Sequence, residues 1–368
     1  MFKKFHGIDL HKKYATISVR DENGKEIYKT LRCMDLRGYI NSLNNKDVVV
    51  VEAVNNAFYW ADEIEKQGAI CLVINSFKFK IIRESIIKTD RKDSISLSLA
   101  LWISMTSKEF KIPTVYKPDP VIRELRKLFS QYQLINKQIR QYKNSIQAVL
   151  VENGISMTNA EKERLLNPKR GLDVFDSLKV THTSRVCTIM SLFLLWNLQD
   201  QKELLKREIF KAGLPLEDKM KLLITIKGVT PLLALGFLAD IGDITRFKSV
   251  RQMNSYLGVV PTVKSSGGKT KMGSINRQSR NLSRSLFTQG IIHFVKDSST
   301  LFDFYESVKK RRGVGRSRIA VLRKLFSIMR RMLLNNEEYK WKDDVNYNNK
   351  LVDYEKLMIQ MKNLADAS

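Results

Sequence analysis

A mixed α/β sheet followed by a largely helical remainder is the fold class this sequence predicts. Three observations carry it. Strand-like and helix-like patterns alternate over the first hundred residues, strand signal disappears from Pro118 to about Leu214, and from Pro215 short helices are separated by glycine turns.

The first elements read clearly. Phe5 to Leu10, Ala15 to Arg20 and Glu26 to Leu31 are short β-branched or aromatic runs, divided by His11-Lys12-Lys13 and by the turn Asp21-Glu22-Asn23-Gly24, so they form a three-stranded meander. Leu36 to Leu43 has helical spacing. The run Val48-Val49-Val50-Val51 fits a strand buried on both faces. Phe58 to Gln67 is a helix closed by Gly68, Ile70 to Ile74 a second buried strand, and Ser94 to Thr106 a further helix.

Beyond Pro118, apolar residues recur every three or four positions at Ile122, Leu125, Leu128, Tyr132, Ile135, Ile139, Tyr142, Ile146 and Val149. This spacing predicts one long amphipathic helix with coiled-coil character. A second helix, about Thr183 to Ala212, is expected to pack back on it, with polar residues 153–179 as a loop or short helix between them. Ile226-Lys227-Gly228-Val229-Thr230-Pro231 before Leu232 to Ile241 has the glycine turn of a helix-hairpin-helix-like element, whose amides can hold a phosphate; a plain turn between two core helices fits it too. The organisation expected is 1–116, 117–215, 216–335 and a tail at 336–368.

With 368 residues, 43% of them hydrophobic and only 7 Pro, the chain can bury a sizeable core and reads as two or three domains. Its 64 Lys+Arg against 38 Asp+Glu leave a net charge of +26, which calls for a polyanionic partner. A membrane is the poorer choice. The longest apolar run, Val186 to Leu198, is interrupted by polar residues and falls short of the roughly 20 that span a bilayer. The start of the chain lacks a signal-peptide pattern, so a cytoplasmic protein is expected, nucleoid-associated if its polyanionic partner is DNA. Cys33, Cys71 and Cys187 suggest neither a disulfide framework nor a zinc site, and Cys71 and Cys187 are expected in the core. Positive charge concentrates late. Residues 261–331 hold 17 Lys/Arg against 3 Asp/Glu, placing the nucleic-acid face there.

Four acids stand out against this charge. Asp9 follows Gly7-Ile8 at a strand end, and Glu52 ends Val48 to Val51, so two carboxylates can converge where a sheet holds them rigidly, as an oxygen-ligated Mg²⁺ site requires. Asp90 and Asp93 are three apart and share a helix face. Singly, each also reads as a solubilising or salt-bridging residue; together they point to metal-assisted phosphodiester chemistry. Ser265-Ser266-Gly267-Gly268-Lys269 is a polar glycine loop that can approach a phosphate, with Lys269, Lys271 and Arg277 near enough in sequence to offset its charge. Alone it is as readily a flexible turn. His6, His11, His182 and His293 have no metal spacing, and histidine catalysis is not expected. Tyr256, Phe287, Phe294 and Tyr305 interleave the basic segment at helical spacing, which favours core packing over base stacking. Lys309-Lys310-Arg311-Arg312-Gly313 with Arg316 and Arg318 forms a phosphate-binding cluster, to which Arg280 adds.

In combination these segments resemble a known family. Gly7-Ile8-Asp9 with His11-Lys12, Val51-Glu52-Ala53, and Lys88-Thr89-Asp90 with Asp93 are similar to the DEDD motif of the insertion sequence 110 family of transposases. Gly228-Val229 to Pro231, Phe247-Lys248-Ser249, Tyr256 to Pro261 and Ser265 to Lys269 resemble that family's C-terminal transposase domain, so the likeness runs from about residue 5 to 335. Ala53-Val54-Asn55-Asn56 and Ser279-Arg280 depart from its usual pattern. The resemblance implies a RuvC/RNase H-like N-terminal domain and a helical coiled region. It also implies metal at Asp9, Glu52, Asp90 and Asp93, with Ser266 as the nucleophile that forms a phosphoserine link to DNA and Ser265 as its neighbouring alternative. The partners it implies are donor and target DNA, a structured bridge RNA encoded by the element, and further copies of the chain as dimer or tetramer. A RuvC-like junction nuclease using water and a non-catalytic nucleic-acid scaffold are the competing readings.

Overall fold

The computed structural model describes residues 2–75, 79, 89–266, 269–275, 279–296 and 299–366, without the side chains of 29–30, 263–266, 269–272, 299–300 and 364–366. It divides into two compact units, Met1–Lys117 and Pro118–Ser368.

The first unit is built on a five-stranded sheet of order β3-β2-β1-β4-β5. Its strands are β1 Lys4–Leu10, β2 Ala15–Asp21, β3 Glu26–Cys33, β4 Asp47–Glu52 and β5 Ile70–Ile74. The first three form the antiparallel meander that the turn residues require, and β4 and β5 continue the sheet in parallel with β1. The four valines behave as a strand covered on both sides. Val49 and Val51 join one apolar cluster with Ile8, Leu10, Ile40, Ala61 and Ile64, beneath helices Leu36–Asn41 and Ala57–Lys66. Val48 and Val50 join another with Phe5, Leu97, Ala100 and Leu101, beneath helix Asp90–Thr106. That helix begins four residues before the expected start, so Asp90 and Asp93 lie in its first turn.

In the second unit the long helix is Pro120–Glu152. Its buried seam substitutes Phe129 for Leu128 and Leu150 for Val149, because an undistorted 3.6-residue period drifts off a strict coiled-coil repeat. Helix His182–Ala212 packs against its second half around Ile139, Leu150, Leu192 and Trp196, and residues 153–179 contain two short helices, Asn159–Leu165 and Gly171–Asp176. Cys187 lies exposed on helix His182–Ala212, contrary to expectation, because the apolar run from Val186 buries Thr188, Leu192, Leu195 and Trp196 and leaves Val186, Met190, Phe193 and Leu194 outward with it. Phe287 and Phe294 are core residues, with Tyr256 and Tyr305 packed against that core.

Gly228 forms a left-handed turn with φ 83° between helices Glu217–Leu223 and Pro231–Ile241, and Thr230 caps the second helix through the Leu233 amide. The far end of the chain supports this turn. Lys350, on helix Asp344–Asp366, donates from Nζ to the carbonyls of Ile224, Ile226 at 2.9 Å and Val229 at 3.2 Å. Burial lowers its pKa to about 8, against a smaller opposing effect of Asp343. Lys350→Met should therefore destabilise the protein by roughly 2 kcal/mol, since buried carbonyls lose their donor. The unfolded chain holds the lysine proton to a higher pH than the folded chain does. Folding stability consequently rises with pH above about 8, and urea midpoints should show that rise in the wild type and not in Lys350→Met.

Candidate active site

Side chains alternate along β1, so Phe5, Gly7 and Asp9 face helix Asp90–Thr106 while Ile8 and Leu10 face the other way. Gly7 is what lets the helix come close. A Cβ there would lie 2.4 Å from the Ser94 carbonyl oxygen and 2.4 Å from the Ser98 amide nitrogen. Ser94 and Ser98 are fully buried at this contact, and Ser98 Oγ is 2.9 Å from Ser18 Oγ on β2. Thr89 caps the helix by accepting from the Lys92 amide at 3.3 Å. The acids of the first turn thus sit at a positive helix end above the end of β1. Glu52 shares the face of Val48 and Val50, and the pairing of Ile8 with Val51 sets it beside Asp9 on the neighbouring strand.

The acids of β1 and of the helix meet through His11. His11 Nε2 is 3.0 Å from Asp9 Oδ2 and 3.3 Å from Asp90 Oδ2. Among the described residues, Asp9, His11 and Asp90 offer ligand atoms within 4.8 Å of one another, a set that Glu52 and Asp93 do not join. Tyr14 closes the same hairpin, donates to Asp90 Oδ2 at 2.8 Å, and lies under the Arg32 guanidinium at 3.9 Å. The hydrogen bond to Asp90 raises the phenol pKa, so Tyr14 remains the donor. His11 has no second histidine or cysteine at metal spacing, which hid it; the available signal was Asp9-Leu10-His11, an i, i+2 pair at a strand end.

Burial raises the Asp9 pKa above the usual carboxylate value, His11 opposes this, and the charges of Asp90 and Asp93 raise it further. Carboxylates gathered at such a cost suit a divalent cation, which would turn their mutual repulsion into attraction. Oxygen donors with one imidazole are acceptable to several such ions, hard ones included.

In the second unit, the expected serine loop is a β-hairpin. Strands β6 Pro261–Ser266 and β7 Lys269–Ile275 pair antiparallel, with the Ser266 and Lys269 backbones opposed. Gly267, Gly268 and Arg277 lie outside the described residues, as do the side chains of Ser265, Ser266, Lys269 and Lys271. Lys309, Lys310, Arg311 and Arg312 end helix Ser299–Arg312, and Arg316 and Arg318 follow Gly313 on helix Val314–Asn335. The structure gathers part of this cluster: Arg311, Arg312 and Arg316 join Arg323 around a cavity of about 940 Å³ floored by Phe304, Val308 and Ile319. Lys309 is instead paired with Glu306 at 2.8 Å. Gly228 packs against Phe294 and the His293 carbonyl, so that face of its turn is in the core. Arg280 pairs with the buried Asp240 at 2.9 Å, a partner 40 residues away that no local pattern announces. No described helix is long and apolar enough to cross a membrane.

Residues 6–154 match the DEDD model of IS110-type transposases, described simply as "Transposase", and residues 220–306 match the model "Transposase IS116/IS110/IS902 family". The chain is 26% identical over 346 residues to the "Transposase for insertion sequence element IS1111A" of Coxiella burnetii, covering 92% of this chain and 91% of that protein. It is 22% identical over 292 residues to the "Probable family 20 transposase" of Pseudomonas aeruginosa, covering 77% and 82% of the two chains.

Proposed function

We propose, because this chain belongs to the IS116/IS110/IS902 family of transposases, that it exchanges DNA strands by a metal-assisted serine mechanism. A transposase of this family acts on DNA, and its DEDD domain implies dependence on a divalent metal. The observation that carries the reading is the gathering of Asp9 and Asp90 on one side of a sheet end, beside Glu52 and Asp93, in a chain whose second family match includes Ser266.

Asp9, Glu52, Asp90 and Asp93 would hold the cation, Mg²⁺ by their oxygen chemistry, with His11 and Tyr14 fixing the rotamers of Asp9 and Asp90. Bound there, the ion would supply charge neutralisation at the transferring phosphate and would lower the pKa of the attacking hydroxyl. The Ser266 hydroxyl oxygen forms a bond to phosphorus as a bridging oxygen of the DNA departs, carrying the proton away as a free strand-end hydroxyl. Attack by a hydroxyl of the second DNA reverses this step, joins the new strand and restores serine. Lys269, Lys271 and Arg277 offset charge on the phosphate, while Gly228, Arg280, Lys309, Lys310, Arg311, Arg312, Arg316 and Arg318 hold the nucleic acid.

The reading assigns strand chemistry to 1–116 and 216–335, assembly into a dimer or tetramer to 117–215, and a structured bridge RNA to the basic surface. A labelled DNA carrying the element end tests it. In Mg²⁺, the wild type should leave a DNA-protein adduct that survives denaturation, and Ser266→Ala should leave none. Cleaved ends with no adduct in the wild type would assign the nucleophile to water. RNA that co-purifies with the protein and maps beside its own reading frame is the expected result for the guide.

A further inference from the structure

Two arginines in the second unit are held more firmly than a surface charge needs. Asp240, fully buried at the end of helix Pro231–Ile241, accepts from Arg280 Nε at 2.9 Å, from the Ser283 amide at 2.7 Å and from Ser283 Oγ at 2.8 Å. Arg126, on the long helix, donates from Nε to the Ala239 carbonyl at 2.7 Å and from Nη2 to the Asp240 carbonyl at 2.8 Å. Those carbonyls belong to the last turn of a helix, where acceptors and negative dipole both favour a cation. Arg280 alone neutralises the carboxylate, and Arg126 adds a second guanidinium on the backbone carbonyls beside it. Two are present, and burial lowers the Arg126 pKa, as do the charges of Arg280 and Arg246, against opposing effects of Tyr256 and Asp240. The group therefore carries an excess of positive charge partly withdrawn from water, an arrangement that an anion completes.

A cavity opens beside these arginines. Arg126 and Arg280 line a polar cavity of about 220 Å³ with Ser130, Gln133 and Asn281. Asn281 also lines a neighbouring cavity of about 780 Å³, which continues to Arg140, Arg284 and Thr288. Arg126, Ser130, Gln133 and Arg140 fall at i, i+4, i+7 and i+14, one stripe of the long helix. The opposite wall is helix Leu282–Gln289 and the residues before it. The stripe extends for about 21 Å of helix axis, which spans several phosphates at about 3.4 Å per nucleotide of a duplex strand. Arg284, bonded to the Gly258 carbonyl at 2.9 Å, is positioned in the same way as Arg126.

We propose that this trough, between the polar stripe of helix Pro120–Glu152 and the start of helix Leu282–Gln289, binds the phosphodiester backbone of a nucleic-acid strand, with Arg126 and Arg280 as its fixed phosphate anchors. It shares Arg280 with the strand-exchange reading, extends that reading to Arg126, Ser130, Gln133 and Arg140 of the long helix, and is independent of the DEDD acids. The long helix thereby acquires a binding role besides its part in the core.

Arg140→Gln and Gln133→Glu test this while leaving both anchors and Asp240 in place, and Lys66→Gln in the first unit is a charge-matched control for Arg140→Gln. Affinity is measured in EDTA, so that metal chemistry is silent, over about 50 to 200 mM salt. The probes are a DNA duplex of about two helical turns and an RNA hairpin of equal length. Arg140→Gln should lower the slope of log affinity against log salt by about one, and Gln133→Glu should weaken binding about tenfold at the lowest salt. Lys66→Gln should do neither. Loss on both probes means that the trough holds the shared backbone, and loss on one alone names the strand it serves. Slopes for Arg140→Gln equal to those for Lys66→Gln on both probes would overturn the proposal. Because every arm omits metal, failure here leaves the serine adduct test unaffected, and failure of the adduct leaves this test standing.

Discussion

Asp9→Asn is expected to lower strand cleavage by about 10³-fold or more and to leave metal-free DNA affinity within about twofold. The substitution keeps the volume and the ability to bond His11, but removes the one carboxylate that contacts His11 from the sheet side. Its stability signature is the sharper test. Burial and the neighbouring acids raise the folded-state pKa of Asp9, so the folded protein holds this proton more tightly than the unfolded chain does. Ionising it at neutral pH then costs stability, a cost that sets in as pH rises above the unfolded value near 3.8. Without metal, Asp9→Asn should consequently melt at the same temperature as the wild type or higher. With Mg²⁺ or Mn²⁺ added, the wild type should be stabilised by ligand linkage and the variant should not. An equal metal-induced rise in both proteins would remove Asp9 from the metal site. A purely structural acid predicts the reverse order, with the variant less stable in every buffer.

The sheet was legible because its signals are local. Val48 to Val51 can satisfy an alternating pattern only if both faces are covered, and the two apolar clusters divide these valines accordingly. Asp9 and Glu52 were legible for the same reason, since an acid that ends an apolar strand is placed by the strand. Asp90 and Asp93 follow from helical spacing, once Thr89 is recognised as a cap. Tertiary geometry is what the pattern could not supply. His11 and Tyr14 join the acids because a four-residue hairpin turn folds both toward Asp90, with the His11 amide bonded to the Tyr14 carbonyl at 3.0 Å. Arg126 and Asp240 are separated by 114 residues, and a buried hydrogen-bond network of that span has no sequence period at all. Around Ser265 and Ser266 the pair Gly267-Gly268 dominates the local pattern and signals a loop. The strands on either side are short, polar and, among the described residues, paired only with each other, so they lack the apolar alternation by which a strand is normally recognised.

Gly7→Ala should be the most damaging substitution that touches no predicted ligand. The added Cβ would meet the Ser94 carbonyl oxygen and the Ser98 amide nitrogen at 2.4 Å, and Leu97 Cβ at 2.9 Å. Two of these atoms are helix backbone and cannot rotate away, so helix Asp90–Thr106 has to move off the sheet as a body. Overpacking of this kind costs about 1–3 kcal/mol, and here it also opens a serine-lined contact in which Ser18 and Ser98 share a buried hydrogen bond. The helix carries Asp90 and Asp93 at the end nearest the acids of β1 and β4. A shift of an ångström or so at Gly7 would separate Asp90 from His11 and spoil the ligand geometry, so Mn²⁺ affinity should fall at least tenfold although all four acids are intact. Gly315→Ala is the matched control, because nothing lies within 4 Å of a Cβ at that position and alanine favours the helix there. It should be neutral or slightly stabilising. Urea unfolding and Mn²⁺ titration by electron paramagnetic resonance measure the two effects separately. If Gly7→Ala lowers stability but binds Mn²⁺ as the wild type does, the close approach of β1 to the helix is structural only, and the acids find their places by some other restraint.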